Sequence, residues 1–164
     1  MDLFDAISKR KSCRAYTDRP FDEEQLQSIC DAIKRFTPLY PGQPLKWRFV
    51  ESLKGLFLTK APHYLVVSGK GEKGEAENAG FVYQQLILWF STQGIGNLWQ
   101  GGAKDVKRKK ALGKDIIAIA FGEPKKTIFR DISEFKRKPI TEITNDPDDS
   151  RIQAAHLAPS SLNL

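Results

Sequence analysis

Five consecutive residues near the N-terminus, Arg10-Lys11-Ser12-Cys13-Arg14, carry three cations and a hydroxyl. In an extended chain alternate side chains point the same way, which would put Arg10, Ser12 and Arg14 on one side. Two guanidinium groups and a hydroxyl converging on one point suit a phosphate monoester, since each guanidinium offers a planar fork of N–H donors to the phosphate oxygens. The same five residues are also compatible with a solvated basic turn. A second basic stretch, Ser133-Glu134-Phe135-Lys136-Arg137-Lys138-Pro139, reads as extended and is another candidate anion contact. Between the two, Gly101-Gly102 supply backbone without side chains, which a ligand can approach closely.

Other chemistries find less support. Gly69-x-Gly71-x-x-Gly74 matches the dinucleotide-binding fingerprint by letter. Charged residues fall inside it, however, and Glu75 and Glu77 follow where they would repel a pyrophosphate. The segment reads instead as a mobile polar surface loop. Cys13 and Cys30 are the only cysteines and His63 and His156 the only histidines. None stands at ligand spacing, which argues against a metal site. No nucleophile-elbow pattern occurs, and no catalytic acid or nucleophile stands out. The net charge of +6 includes one dense cluster, Lys104, Lys107, Arg108, Lys109 and Lys110, on a helix expected over 104–110. Without interleaved aromatics it reads as a solvated face, not as a nucleic-acid site. Two thiols and no signal-peptide pattern at the N-terminus point to a reducing, cytoplasmic setting.

The elements that must position these groups are legible in part. With 164 residues, 40% of them hydrophobic and 28% charged, the chain suits one soluble domain with a real core. Leu3, Phe4 and Ile7 predict a short helix over residues 2 to 9, which delivers the first basic stretch. Asp22-Glu23-Glu24 mark the start of a second helix, whose buried face is Leu26, Ile29, Ala32, Ile33 and Phe36. Strands are predicted at Trp47 to Glu51, Tyr64 to Ser68, Asn97 to Gln100 and Ile116 to Phe121, with Leu56-Phe57-Leu58 helical or a packed loop. The run from Phe81 to Phe90 is apolar around most of a helical circumference, too short and too interrupted by Gln84 and Gln85 to span a bilayer. It predicts a buried central helix, opened by Glu75-Ala76-Glu77 and capped by Gly94-Ile95-Gly96. The irregular order of helices and strands argues for a mixed α+β domain and against a dinucleotide-binding Rossmann unit.

Taken together these pieces resemble the nitroreductase family of flavin-dependent enzymes. The residues that carry the resemblance are Leu3-Phe4, Ile7, Arg10, Ser12, Arg14, Tyr16, Asp18 and Pro20. They continue with Gln84-Gln85-Leu86 to Gly94-Ile95-Gly96, Leu98-Trp99-x-Gly101, Gly122-x-Pro124 and Arg137-Lys138-Pro139-Ile140. Lys60-Ala61-Pro62-His63-Tyr64 with Glu77 to Phe81 looks closest to a subgroup in which two nitroreductase halves are fused. The resemblance implies a nitroreductase-like α+β fold: a central mixed or antiparallel sheet flanked by helices, with the long central helix at a dimer or pseudo-dimer interface. It implies an FMN cofactor contacted by Arg10, Lys11, Ser12, Arg14 and Arg137 at its phosphate and by Gln100, Gly101 and Gly102 at its ring. It further implies NAD(P)H as electron donor and a nitroaromatic, quinone or similar small-molecule acceptor, the two half-reactions alternating at the flavin. No membrane or nucleic-acid partner is implied. Pro41 to Trp47 lacks the Asn that the family commonly places before Gln-Pro-Trp. Residues 1–143 form the expected nitroreductase-like domain. Residues 144–164 look like the start of a second repeat or a C-terminal extension, since Arg151 to Asn163 echoes the helix from Leu26 to Pro38. The alternative expectation is a flavin-poor, non-catalytic remnant that dimerises through the Phe81 to Phe90 helix.

Overall fold

The computed structural model describes every residue except 106, 108–112 and 161–164. Its centre is a four-stranded sheet in the order β1-β3-β6-β4, built from Lys46–Val50 (β1), His63–Gly69 (β3), Lys114–Gly122 (β6) and Gly96–Gln100 (β4). Every pairing is antiparallel. Leu53–Lys54 (β2) and Lys104–Asp105 (β5) form a separate antiparallel pair. The helices are Leu3–Lys9 (α1), Glu23–Arg35 (α2), Glu75–Thr92 (α3) and Ser150–Leu157 (α4). This is the mixed α+β architecture expected from the sequence, with antiparallel pairing throughout the main sheet.

Strand alternation divides the interior into two layers. Leu65 and Val67 of β3 and Ile119 and Phe121 of β6 face α2 and α3, where they meet Ile29, Ile33, Tyr83, Leu86, Ile87 and Phe90. Tyr64, Val66, Ala118 and Ala120 face the other way, onto Cys13, Tyr16, Leu53 and Ile128. A strand buried on both faces must be apolar at consecutive positions, which is why β3 and β6 read as unbroken hydrophobic runs.

Helix ends follow local chemistry. Asp22 caps α2 with a complete capping box: its carboxylate accepts from Gln25 N–H at 2.8 Å while the Gln25 side chain accepts from Asp22 N–H at 3.0 Å. The C-terminus of α3 closes in a Schellman motif, with Gly94 N–H bonded to Ser91 O (3.2 Å) and Ile95 N–H to Phe90 O (2.8 Å). Gly94 takes φ +72°, which a residue with a side chain adopts only at a cost.

Several sequence expectations require correction. The α3 helix is not enclosed all round: Phe81 is 46% exposed, and Gly80 and Ala76 on the same side are exposed too. Leu56 and Phe57 are neither helical nor packed but stand out on a turn. Lys104 and Asp105, expected to open a basic helix, pair with β2 because Arg48 draws Asp105 and Asp115 together, at 3.1 and 2.9 Å. Positions 106 and 108–110 of that stretch lie outside the described residues. The second basic stretch begins with a 3-10 turn, Ile132–Glu134, capped by Asp131. The glycine-rich loop before α3 is pinned, not a loose excursion. The Glu75 carboxylate accepts from the N–H groups of Lys70 (2.8 Å), Gly71 (2.8 Å) and Glu72 (3.0 Å). These amides, Lys70 foremost, hold its carboxyl below the ordinary range against the opposing effect of burial. A Cβ on Gly69 would collide with the same carboxylate.

His63 ties α2 to the sheet. Its Nε2 accepts from Phe21 N–H at 2.7 Å, and its ring stacks on Phe121 at 5.2 Å. Burial holds its pKa below the ordinary 6.5. Because the folded state disfavours the proton, the stability tied to His63 is complete above pH 6.5 and is lost as pH falls through the lowered folded value. Chemical denaturation of the native chain and of His63→Phe across this range should show the native chain losing stability more steeply on acidification. At neutral pH the variant, which keeps the stacking but orphans Phe21 N–H, should be about 1–3 kcal/mol less stable.

Candidate functional site

The C-terminus of α1 releases the chain into an extended segment that runs beside β4 and the loop after β6. Cys13 N–H bonds to Asn97 O (2.9 Å), Lys11 N–H to Ile128 O (2.7 Å), and Arg10 bridges Phe129. Arg130 N–H in turn bonds to Lys9 O at 2.9 Å. Two basic residues 120 positions apart are thereby fixed side by side. The third, Arg137, is anchored by α4: its Nε donates to His156 O at 3.1 Å and its Nη2 to Ala158 O at 2.7 Å.

These side chains border one cavity of about 990 Å³, at the upper end of the range usual for small-molecule sites. Arg10, Lys11, Ser12, Arg14, Arg130 and Arg137 supply its polar wall. Leu98 and Trp99 of the edge strand β4, with Ile116 and Ile117 of β6, supply apolar wall. Along α3 the lining is small, Ala76, Ala79 and Gly80, before Gln84. Gly101 opens onto the same space, and a Cβ there would meet no atom within 4 Å.

The electrostatics are lopsided. Arg10 is only 4% exposed, and its Nε makes no hydrogen bond; the buried Arg130 Nε has none either. Burial first, then the neighbouring charges of Arg130 and Arg137, push the Arg10 pKa down to about 10. Arg130 is lowered by the same two effects, burial and Arg137, with Glu134 opposing. Its guanidinium carbon lies 3.3 Å from the centre of the Phe135 ring. Guanidinium groups that repel one another, with buried donors unmet, call for an anion between them.

Of the residues singled out from sequence, Arg10, Lys11, Ser12, Arg14, Gly101 and Arg137 are brought together at this cavity. Lys11 reaches it despite falling between the alternate positions. Gln100 and Gly102 flank Gly101 but do not line the space, and the Gln100 side chain turns away to accept from Thr59 N–H at 3.3 Å. Arg130 escaped the sequence reading, because only the return of the loop under α1 places it beside Arg10. Among the described residues no cluster of three His, Cys, Asp or Glu side chains is placed to hold a metal, and no helix is long and apolar enough to cross a membrane.

Comparison with known proteins decides the lineage. A family model described as "Putative TM nitroreductase" matches residues 2–164. The chain belongs to the nitroreductase family. That membership places it among oxidoreductases. A nitroreductase-family protein of Clostridium difficile superposes with TM-score 0.73 at 20% identity, covering 88% of this chain and 98% of that one. A Thermotoga maritima protein described as a nitroreductase gives TM-score 0.68 at 25% identity, covering 99% of this chain but 68% of its own. A Desulfovibrio desulfuricans protein described as a nitroreductase, solved in complex with FMN, gives 0.66 at 18% identity, covering 88% and 96%. No curated protein matched the chain.

In this nitroreductase-family chain the crowding of guanidinium groups should be measurable without any cofactor. Inorganic pyrophosphate should raise the thermal midpoint, and added salt should erode the effect. Arg10→Met should leave the anion-free chain as stable or up to about 2 kcal/mol more stable, and should remove most of the response to pyrophosphate. Thermal melts at fixed ionic strength check both.

Proposed function

We propose that the cavity holds FMN and that the chain is an FMN-dependent, NAD(P)H-oxidising reductase of nitroaromatic, quinone or similar acceptors. The observation that carries this reading is the pair of buried, unmet Nε donors, on Arg10 and Arg130, in one cavity with bare backbone at Gly101 and apolar walls. A phosphate dianion would satisfy both donors and relieve the repulsion among the guanidinium groups. Arg10, Lys11, Ser12 and Arg14, with Arg137 and also Arg130, would hold the phosphate. Gly101, with Gln100 and Gly102 on either side, would leave room for the flat ring, and Leu98, Trp99, Ile116 and Ile117 would shield it from water. When bound, the flavin supplies the redox chemistry, accepting two electrons from NAD(P)H and passing them to the acceptor in a separate half-reaction. The chain's own work in this reading is to bind, orient and desolvate; it needs no side chain as nucleophile.

The donor's name rests on slighter support: nitroreductases of Bacteroides thetaiotaomicron and Parabacteroides distasonis are described as NADH dehydrogenase/NAD(P)H nitroreductase. A cytoplasmic setting belongs to the same reading. So does assembly as a homodimer, or as a pseudo-dimer in which residues 144–164 begin a second repeat. The open side of α3, with Phe81 at 46%, and the exposed Leu3 and Phe4 of α1 favour a partner surface there. If that surface pairs while the cavity fails to take up flavin, the chain is the non-catalytic remnant instead.

Purified protein mixed with FMN should retain yellow colour through gel filtration, quench Trp99 emission, and bleach when NAD(P)H is added without oxygen. Arg10→Ala and Arg130→Ala should each weaken FMN binding by about 10- to 100-fold, the loss expected for a charged hydrogen bond. A colourless chain that leaves added FMN fluorescence unquenched would refute the assignment.

A further inference from the structure

Helix α4 is held to the fold by little apolar surface. It has eight residues, none of them buried, and a helix that short does not stand alone in water. Its first turn is capped from within its own segment: Asp149 accepts from Arg151 N–H at 2.8 Å, and Gln153 donates to Pro147 O at 3.1 Å. The fastening of its other end comes from the second basic stretch. Arg137 Nε and Nη2 donate to the carbonyls of His156 and Ala158, and the His156 ring, with its proton on Nε2, reaches Lys138 O at 2.8 Å. The last carbonyls of a helix lack partners within it and carry the negative end of its dipole, so a guanidinium suits them.

The same end of α4 reaches the anion cavity. Ala158, Pro159 and Ser160 line it together with Arg137, and among the described residues no Asp or Glu does. Arg137 thus belongs to two structures at once. Its charge repels Arg10 and Arg130, while its hydrogen bonds hold the end of α4. Swinging Arg137 outward relieves the repulsion and releases the helix. An anion among the three guanidinium groups reverses that balance, because Arg137 then gains an attraction by staying.

We propose that α4 with Ala158-Pro159-Ser160 is a strap whose closure is coupled to anion occupancy through Arg137. An anion in the cavity draws Arg137 inward and docks the helix end; without one the end loosens. His156, fastened to Lys138 O, is the positioning residue that keeps the α4 carbonyls within reach of Arg137. Coupling of this kind is reciprocal, so whatever docks α4 strengthens anion binding by the same factor. The inference requires an anion but not a flavin, and inorganic pyrophosphate serves as the probe.

Hydrogen exchange of the full chain, followed by mass spectrometry in peptides covering residues 150–160 with and without pyrophosphate, tests it. A marginal helix exchanges by local opening, and that opening responds to the anion only if it weakens anion binding. Pyrophosphate should slow exchange there about 5- to 30-fold. Arg10→Met should slow it without pyrophosphate, since part of the repulsion that pushes Arg137 outward is gone. Arg137→Gln should abolish the response at pyrophosphate concentrations that still raise its thermal midpoint. His156→Ala should speed exchange and weaken pyrophosphate binding, whereas His156→Gln, which keeps a donor for Lys138 O, should restore both. Exchange that pyrophosphate leaves unchanged, or a response that survives in Arg137→Gln, would overturn the proposal. A chain that shows the response yet takes up no FMN loses the flavin reading alone, and one that loads FMN without the response loses the strap alone.

Discussion

Mutual repulsion among guanidinium groups is the constraint around which this fold is arranged. Two unit charges 4 Å apart interact by about 1 kcal/mol in water and about 4 kcal/mol in the partly shielded environment near a protein surface. Arg10 bears that penalty almost wholly out of solvent. Backbone holds it in place, and among the described residues no carboxylate forms an ion pair with it. Arg10 N–H closes α1 on Ala6 O, the loop after β6 bridges at Phe129, and α4 offers its terminal carbonyls to Arg137. The aromatic face of Phe135 beneath Arg130 adds a favourable electrostatic contact that needs no acid.

The rest of the structure serves this cluster by being rigid and by leaving room. Two hydrophobic layers grip the sheet from both sides, and its edge strand β4 is held further by the Cys13 N–H bond to Asn97 O. The cavity runs along that edge. On α3 a large side chain at Ala76, Ala79 or Gly80 would intrude into it, and the helix accepts the propensity cost of an interior glycine, about 1 kcal/mol, without a packing reason to do so.

Much of this was readable from local pattern. The periodicity of α2, its acidic start, the glycine that ends α3 and the apolar runs of β3 and β6 all follow from short-range chemistry, and each formed where it was expected. Arg10 to Arg14 announced themselves by residue type. What stayed hidden depends on long-range return of the chain. Arg130 looks like any surface arginine until Phe129 pairs with Arg10. Two-residue strands such as β2 and β5 carry no period to detect, so nothing in the pattern separates a helix or packed loop at Leu56-Phe57-Leu58 from the exposed turn that forms. Gln100 was expected to matter through its backbone, yet its side chain holds Thr59. The opposite error occurred on α3, where an apolar circumference suggested burial all round and Phe81 proved half open.

The loop before α3 behaves as a receptor that carries its own ligand. Three amides surround an anion as they would in a phosphate nest, and the anion is the Glu75 carboxylate, three to five residues along the chain, with Lys70 N–H on one oxygen and Gly71 and Glu72 N–H on the other. Tethering makes that occupancy intramolecular, at the high effective concentration that a short link provides. A pattern of glycines can therefore match a nucleotide-binding fingerprint by letter while the amides it presents are engaged by the chain's own carboxylate.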